Sequence, residues 1–535
     1  MKTIISKAIV GVCLASTVFS TTSCIEETFP TNAATQEQLA SSAKATEALL
    51  WAMPAFFNKY DCLGADRHDD WGYGTMMHIR DVMTADMAIV SSGYNWYSSY
   101  SQGLYLGEDY VYSQLTWNYH YKFIQTANNM VAAINPEVAS DAQLGFLGVG
   151  YAFRALAYLD ASRMYEFLPN DKISAVNASG NNVEGLTMPI VKEGMTEDEA
   201  RNNPRADRAT MAAFIEDDLN KAEEYIVHLT NSAKTLPHLD AVYGLKARLY
   251  MWIEDYTKAK EYARKAINAA TAGVMSEDAC LSTSKGFNDI SQWMWGSQMA
   301  SEDDVVQSGI INWTSWVSNE AQYGYAAAGP YVMIGASVYN RISNSDFRKK
   351  LWKAPEGTAL EGKTPFIDAE WGEGLPAYSS VKFRPAEGNI DDFNVGSASA
   401  FPIMRVEEMY LIEAEAAAHL NEAEGKQLIT DFMVNYRDPK YICNASGESL
   451  IDEIVFQKRI ELWGEGLSFF DIKRLNMSVT RGYTGTNFDS SEAFNTDGRP
   501  AWMNFCFVRN EKNNNAAVKG YENPDPSGAY TPWSE

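Results

Sequence analysis

The sequence predicts an all-α protein, a scaffold of tetratricopeptide-like helix pairs carrying one large loop-rich region. Three observations predict it. Apolar residues recur at helical spacing in segment after segment. The segment 237–270 sets small residues at Ala247, Ala259, Ala263 and Ala266, with Tyr250 between them. Those offsets match a helix–turn–helix repeat of about 34 residues. Between 280 and 400 the periodicity fades while Gly, Ser, Asn and aromatic residues increase.

The first 24 residues stand apart. Lys2 and Lys7 supply a positive start, and Ile4 to Phe19 is mostly apolar but too short and interrupted for a good spanning helix. Ser20, Thr21, Thr22 and Ser23 then lead to Cys24. Small residues before a cysteine resemble a bacterial lipoprotein processing site, although Thr21 stands where the usual box has Leu. Residues 1–23 are then the signal peptide and Cys24 the acylated new N-terminus. More than one acyl chain anchors stably, at about 0.8 kcal/mol per buried methylene. An ordinary secretory cleavage with Cys24 incidental is the alternative. Glu26 and Glu27 resemble the acidic tag that sends such lipoproteins to the outer face of the outer membrane. No later stretch reaches about 18 uninterrupted apolar residues.

Residues 24–40 read as a polar tether, and 41–535 as one domain. A helix is expected from Ser41 to about Lys59, with Ala45, Leu49, Ala52 and Phe56 on one stripe. An irregular stretch, 61–74, follows. Helices are expected at about 76–89, 110–134, 141–166 and 209–229, and a helix pair across 237–270 that turns at Asp255-Tyr256. Small facing residues let the two helices of that pair approach. One pair cannot bury its own faces, so others stack on it; the pairs at 110–166 and 403–465 are the candidates. Within 280–400 only 330–341 looks helical, and the alternation of Trp293 and Trp295 reads as a strand. The last helical block covers about 403–435 and 449–465. The tail from 480 is polar. Cys62, Cys280, Cys443 and Cys506 are far apart, without a Cys-x-x-Cys pair, and read as buried small hydrophobes.

Charge narrows the function. The chain has 69 acidic and 44 basic side chains, a net charge of −25 over 535 residues. A nucleic-acid partner is a poor match for that field. The six histidines are dispersed, with no His-Glu-x-x-His pair. Neither a Gly-x-Ser-x-Gly elbow nor a phosphate-binding Gly-x-x-x-x-Gly-Lys loop is present. Glu302, Asp303 and Asp304 could meet calcium, but without an EF-hand pattern they read as a solvated acidic loop. Carboxylates are abundant, so a glycosidase pair roughly 5–10 Å apart stays open.

Residues 402–416, PIMRVEEMYLIEAEA, resemble the "R-x-x-E-x-Y-L-I-x-A-E-A" helix of the SusD/RagB lipoproteins. Residues 453–474, EIVFQKRIELWGEGLSFFDIKR, resemble the second C-terminal signature of that family, with Gln457 for the usual Glu and Ser468 for the usual Arg. Residues 150–158, GYAFRALAY, are similar to a third family helix. With the signal at Cys24 and the pair at 237–270, these motifs run in family order over nearly the whole chain. The resemblance implies a surface lipoprotein of Bacteroides-type bacteria, lipid-anchored in the outer membrane and facing outward. It implies an α-superhelical scaffold of four helix pairs under a loop-rich ligand-binding face. It further implies capture of an oligosaccharide, delivery to a SusC-like TonB-dependent transporter, no catalysis and no cofactor. A RagB-like peptide or protein binder and, less favoured, an all-α glycoside hydrolase are the alternatives. On the residues alone the C-terminal motifs are structural. Val406, Tyr410, Ala414, Ala417 and Leu420 form one stripe, and Ile451, Val455 and Leu462 another. Glu413, Glu415, Arg459, Glu461, Glu465, Asp471 and Arg474 lie beside these stripes and read as ion pairs that specify register.

Sugars need flat apolar faces for their C–H sides and planar polar groups for their hydroxyls. Two loops have that composition. One is Tyr94-Asn95-Trp96-Tyr97. The other is 310–331, with Trp313, Trp316, Tyr323, Tyr325 and Tyr331. Arg80 and Asp86 flank the first loop as candidate polar partners. Of Trp293 and Trp295, at most one faces ligand. The anchor has a direct test: Cys24→Ala should release the protein from membranes, and continued incorporation of labelled lipid into that variant would refute the assignment.

Overall fold

Some of the long helices begin at a side-chain cap. The computed structural model describes residues 43–92 and 94–534. The signal peptide expected at 1–23, Cys24 and the tether expected at 24–40 lie outside the described residues. The helices used below are α1 (Ala43–Phe56), α2 (Tyr73–Val82), α3 (Tyr97–Ser101), α4 (Val111–Ala133), α5 (Asp141–Tyr165), α6 (Arg208–Tyr225), α7 (Leu239–Trp252) and α8 (Tyr256–Ala269). Further on come α9 (Trp313–Val317), α10 (Ala336–Arg341), α11 (Val406–Leu420), α12 (Glu422–Tyr436), α13 (Glu448–Glu461) and α14 (Ser468–Arg474). Ser140 and Gln143 form a reciprocal capping box at α5. Asp207, Asp255 and Asn421 cap α6, α8 and α12 through side-chain oxygens.

The helices stack in sequence: α4 on α5, α5 on α6, α6 on α7, α7 on α8, α8 on α11, and α11 on both α12 and α13. Small residues set the approach. Ala259, Ala263 and Ala266 of α8 are fully buried, as the repeat pattern predicts. A Cβ on Gly148 of α5 would lie 2.6 Å from Ile226 N, and one on Gly425 of α12 only 2.4 Å from Ala418 Cα. Both glycines therefore permit backbone-to-backbone contact that alanine would block.

Among the described residues, three antiparallel two-stranded pairs tie the loops to this ribbon: β1 (Met87–Ile89) with β5 (Val332–Ile334), β2 (Leu186–Pro189) with β3 (Arg205–Asp207), and β4 (Trp295–Gln298) with β6 (Ala400–Met404). They correct several expectations. The helix expected over 76–89 stops at Val82, where the Thr84 hydroxyl donates to Asp81 O at 2.7 Å, and the chain turns into β1. All three β1 residues are buried, and a short apolar run does not declare its period. The segment 330–341 divides at Gly335 into β5 and α10. The turn of the 237–270 pair falls one residue early, with Glu254 at φ 61° and Asp255 as the cap. The block at 403–435 opens in β6 and breaks at Asn421. Trp293 and Trp295 are both fully buried, so neither meets ligand. The polar tail also enters the core: Trp502, Phe505 and Phe507 are buried, and Trp502 Nε1 donates to Met83 O at 3.0 Å. Cys62, Cys280, Cys443 and Cys506 are buried free thiols, as expected.

The charged motif residues form ion pairs. Glu461 receives Arg405 at 3.0 Å, Arg437 at 2.7 Å and Arg348 at 3.0 Å. Glu465 receives Lys382 at 2.7 Å and Arg405 at 2.8 Å. Glu407 lies 3.0 Å from Arg405, and Asp346 lies 2.7 Å from Arg348. Glu413 binds Arg264, Glu415 binds Arg474, Asp471 binds Lys458 and Arg474, and Arg459 binds Asp86. The Gln457 departure fits this network. Its Oε1 accepts from Arg348 at 2.6 Å while its Nε2 donates to Glu453 at 2.8 Å, a role a carboxylate has no proton for.

Burial alone would raise the Glu461 carboxyl, but Arg437, Arg405 and Arg348 outweigh it and hold the group well below 4.5. Its stabilisation is thus present above that ordinary value and is lost as pH falls toward the folded value. Glu461→Ala should cost about 3–5 kcal/mol in urea titration, because three guanidinium groups lose a buried partner. The wild-type melting temperature should fall on acidification below about pH 4.5, and less so in the variant.

Candidate ligand-binding face

The β1–β5 pair is the root of the face. Ile89 stands opposite Val332, and Val90 N donates to Tyr331 O at 3.3 Å. The loop after β1 and the loop before β5 therefore leave the pair side by side. These are the two aromatic loops predicted from the sequence, and the structure brings them together.

They meet across His68, from the irregular stretch before α2. The His68 ring stacks on Trp96, with centroids 5.1 Å apart and planes 12° apart. It also leans on Tyr325, with centroids 5.3 Å apart. Tyr325 stacks on Trp316 at 4.0 Å and 16°, and Trp316 Nε1 donates to His68 O at 3.0 Å. Tyr97 closes the base of the stack edge-on to Trp316 at 5.0 Å.

Arg67 extends the array. Its guanidinium lies over Trp96 at 4.6 Å and over Tyr112 at 5.0 Å. Fully buried Asp69 orients it, accepting from Nε at 2.8 Å and from Nη2 at 2.7 Å. A planar cation held between two rings keeps both at a set separation. Beyond Tyr112 come Tyr105 and Tyr110, 47% and 41% exposed, with ring centroids 5.2 Å apart. Tyr105 has φ 59°, which is unusual for a bulky residue. Such a conformation costs on the order of 1–3 kcal/mol and persists where neighbours over-determine it. Here Leu106 N donates to Ser527 Oγ at 2.8 Å, and Ser113 Oγ donates to Leu106 O at 2.7 Å.

The predicted residues fall into two groups. Trp96 is partly exposed and Tyr94 is 73% exposed. Tyr323 is partly exposed with its hydroxyl over Gly396. Trp316 and Tyr325, expected to meet ligand, are instead buried and only back the stack from below. The rest have no surface to offer. Asn95 is buried and shapes its loop, donating to Val90 O at 3.0 Å and accepting from Tyr97 N at 3.2 Å. Tyr97 and Trp313 are core residues, the latter packed on Phe383 and Phe401. Arg80 is fully buried and pairs with Asp160 at 3.0 Å; Asp86 is buried and accepts from Arg459 at 2.9 Å. Both tie elements together beneath the face, so they are not polar partners on it. Sequence reasoning missed Arg67, His68, Tyr105, Tyr110 and Tyr112. The density of tyrosines from 94 to 121 was a usable signal for the last three; nothing local marks Arg67.

α3 follows Trp96 directly and rests on Glu492, whose carboxylate accepts from Ser101 Oγ at 2.9 Å. Burial pushes the Glu492 carboxyl up to about 7. Among the described residues no group of three or more His, Cys, Asp or Glu is placed to hold a metal ion, and no helix is long and apolar enough to cross a membrane.

Comparison with known proteins agrees with this architecture. A family model described as "SusD family" matches residues 355–532, which contain both C-terminal motifs. A second, described as "Starch-binding associating with outer membrane", matches residues 68–251, from His68 through most of α7. No curated protein matches the chain. Among solved structures, a SusD-like carbohydrate binding protein from Bacteroides vulgatus ATCC 8482 is 21% identical with a TM-score of 0.68, over 90% of this chain and 98% of that one. A SusD superfamily protein from Bacteroides thetaiotaomicron VPI-5482 is 18% identical with a TM-score of 0.67, over 90% and 99%. Surface glycan-binding protein A from Bacteroides thetaiotaomicron, in complex with laminarihexaose, is 13% identical with a TM-score of 0.60, over 90% and 99%. At these identities the likeness is one of fold, with the tetratricopeptide-type helix pairs as its frame. With two models of one family matching the helix ribbon and the C-terminal ion-pair motifs, the chain belongs to the SusD/RagB family.

Proposed function

We propose that this protein captures a glycan at the Trp96 face and hands it to a SusC-like TonB-dependent transporter, while tethered to the outer membrane through lipid on Cys24. One observation carries the reading: Trp96, His68, Arg67 and Tyr112 form a continuous, surface-reaching array of planar groups. The rings suit the C–H faces of sugar units. Asp69 engages Nε and Nη2 of Arg67, which leaves Nη1 outside that pair for a sugar hydroxyl. The field of a chain with net charge −25 favours neutral over polyanionic glycans. The mechanism is binding without a covalent step. Asp69, the carboxylate within the array, is buried and doubly bound, which suits an orienting role and not acid–base work. Delivery to the transporter and the outward orientation draw support from family membership and from the outer-membrane association in the description of the matching model.

Calorimetry against maltoheptaose, laminarihexaose, a galacturonate oligomer and a peptide panel tests the reading. A neutral oligosaccharide should bind, without release of reducing sugar; binding of peptides alone would overturn it. Trp96→Ala and Arg67→Ala should each weaken that glycan about tenfold, about 1.4 kcal/mol, without changing the far-ultraviolet dichroism. An unchanged Kd would remove the residue from the site. Glu492 adds a pH signature. Its folded value lies above the ordinary 4.5, so its stabilisation is full below 4.5 and is lost as pH rises through about 7. Glu492→Gln should flatten the fall in melting temperature between about pH 5 and about pH 8.

A further inference from the structure

We infer a second sugar-binding subsite between Trp371 and Tyr331, taking one neutral sugar unit; the inference rests on the glycan-binding reading above. Most of the large tryptophans are core: Trp293, Trp295, Trp313, Trp352, Trp463 and Trp502 are fully buried. Trp371 is different, being held rigidly but left partly exposed. Its backbone is fixed by Asp368, which caps the short helix Ala369–Gly374 and accepts from Glu370 N at 2.9 Å and Trp371 N at 3.0 Å. Its indole is fixed by Nε1, which donates to Asn319 O at 2.9 Å. Asn319 is itself buried, donating to Val332 O at 2.7 Å and Ser380 O at 2.9 Å and accepting from Val332 N at 3.0 Å. A ring oriented at both ends and not covered by the fold is a preformed platform, and its orientation carries no entropy cost on binding.

In front of it lies a pocket of about 390 Å³, lined by Trp371, Tyr331, Gln322, Asp368, Glu370 and Leu375. That is within the range of about 300–1,000 Å³ usual for small-ligand sites. Two rings offer apolar faces. Two carboxylates offer only acceptors and the Gln322 amide offers both kinds of group, which complements hydroxyls. No cation lines the pocket. Lys353, at the end of the same short helix, donates to the carbonyls of Gly372, Glu373 and Leu375. Three donors on three carbonyls leave none for an anion. Sugars bearing carboxylate, sulfate or phosphate are thereby disfavoured. Tyr331 joins the pocket to the face already described, because its carbonyl accepts from Val90 N, six residues before Trp96.

The test uses the full chain labelled with 5-fluorotryptophan. The Trp371 and Trp96 fluorine resonances are assigned by their loss in Trp371→Phe and Trp96→Phe. The probes are maltotriose, laminaritriose, cellotriose, xylotriose and trigalacturonate. A neutral trisaccharide should shift the Trp371 resonance saturably, and should still do so in Trp96→Ala. Glu370→Ala, a change at an exposed side chain, should weaken that shift about tenfold with an unchanged melting temperature. A trisaccharide that moves Trp96 and leaves Trp371 still would overturn the second subsite and leave the first intact. Movement of Trp371 by trigalacturonate alone would overturn the neutral class. No movement of either resonance by any probe would overturn both.

Discussion

The buried ion network around Glu461 and Arg405 is the constraint on which the rest depends. Arg405, Arg437, Arg348 and Lys382 meet Glu407, Glu461, Glu465 and Asp346 away from solvent. Each desolvated charge is costly, and losing one partner costs more than the pair adds. Such a cluster therefore tolerates only one arrangement of the elements that supply it. Those elements are the start of α11, the ends of α12 and α13, the short 3-10 turn Phe347–Leu351 and the bend at Lys382. The C-terminal motifs are thus a locking device, and they explain how a ribbon of slender helices holds a heavy irregular region in one place.

From that lock the candidate face is suspended in steps. Two residues beyond Lys382, Arg384 pairs with buried Glu320, and Glu320 accepts from Ile367 N at 2.7 Å. Asn319, next in the chain, anchors both β5 and the Trp371 indole. β5 in turn pairs with β1, which delivers the Trp96 loop, while Asp86 below it is gripped by Arg459 of α13. Rigid elements therefore set the position of loops that have no regular structure. Within the face, Arg67 repeats the same logic on a small scale, with one buried carboxylate fixing a cation that spaces two rings.

Much of this was legible in the chain. The helices at 110–134, 141–166 and 209–229, the alanine-lined pair at 237–270, the pairing of Glu461, Glu465 and Asp471, and the burial of the cysteines follow from local period, small-residue spacing and charge beside apolar stripes. Period and small-residue spacing act over one or two helical turns, so sequence alone determines them; it marks Glu461 and Glu465 for pairing, but their cations come from distant parts of the chain. It also marked the aromatic loops near 96 and 316, because so many rings in polar loops need either a core or a ligand.

Only the tertiary structure decided which rings point outward. Trp313 and Trp316 lie in one short helix, α9, yet the first fills the core and the second backs the Trp96 stack. Arg80 and Asp86 sit near the loop in sequence and beneath it in space, whereas Arg67 and His68 are more distant from it in sequence and at the centre of the face. β1 and β5 are separated by more than two hundred residues, and neither strand has an amphipathic pattern that names its partner. Burial on both faces erases the period, and long-range pairing leaves no local trace, so the face took shape only when the chain was folded.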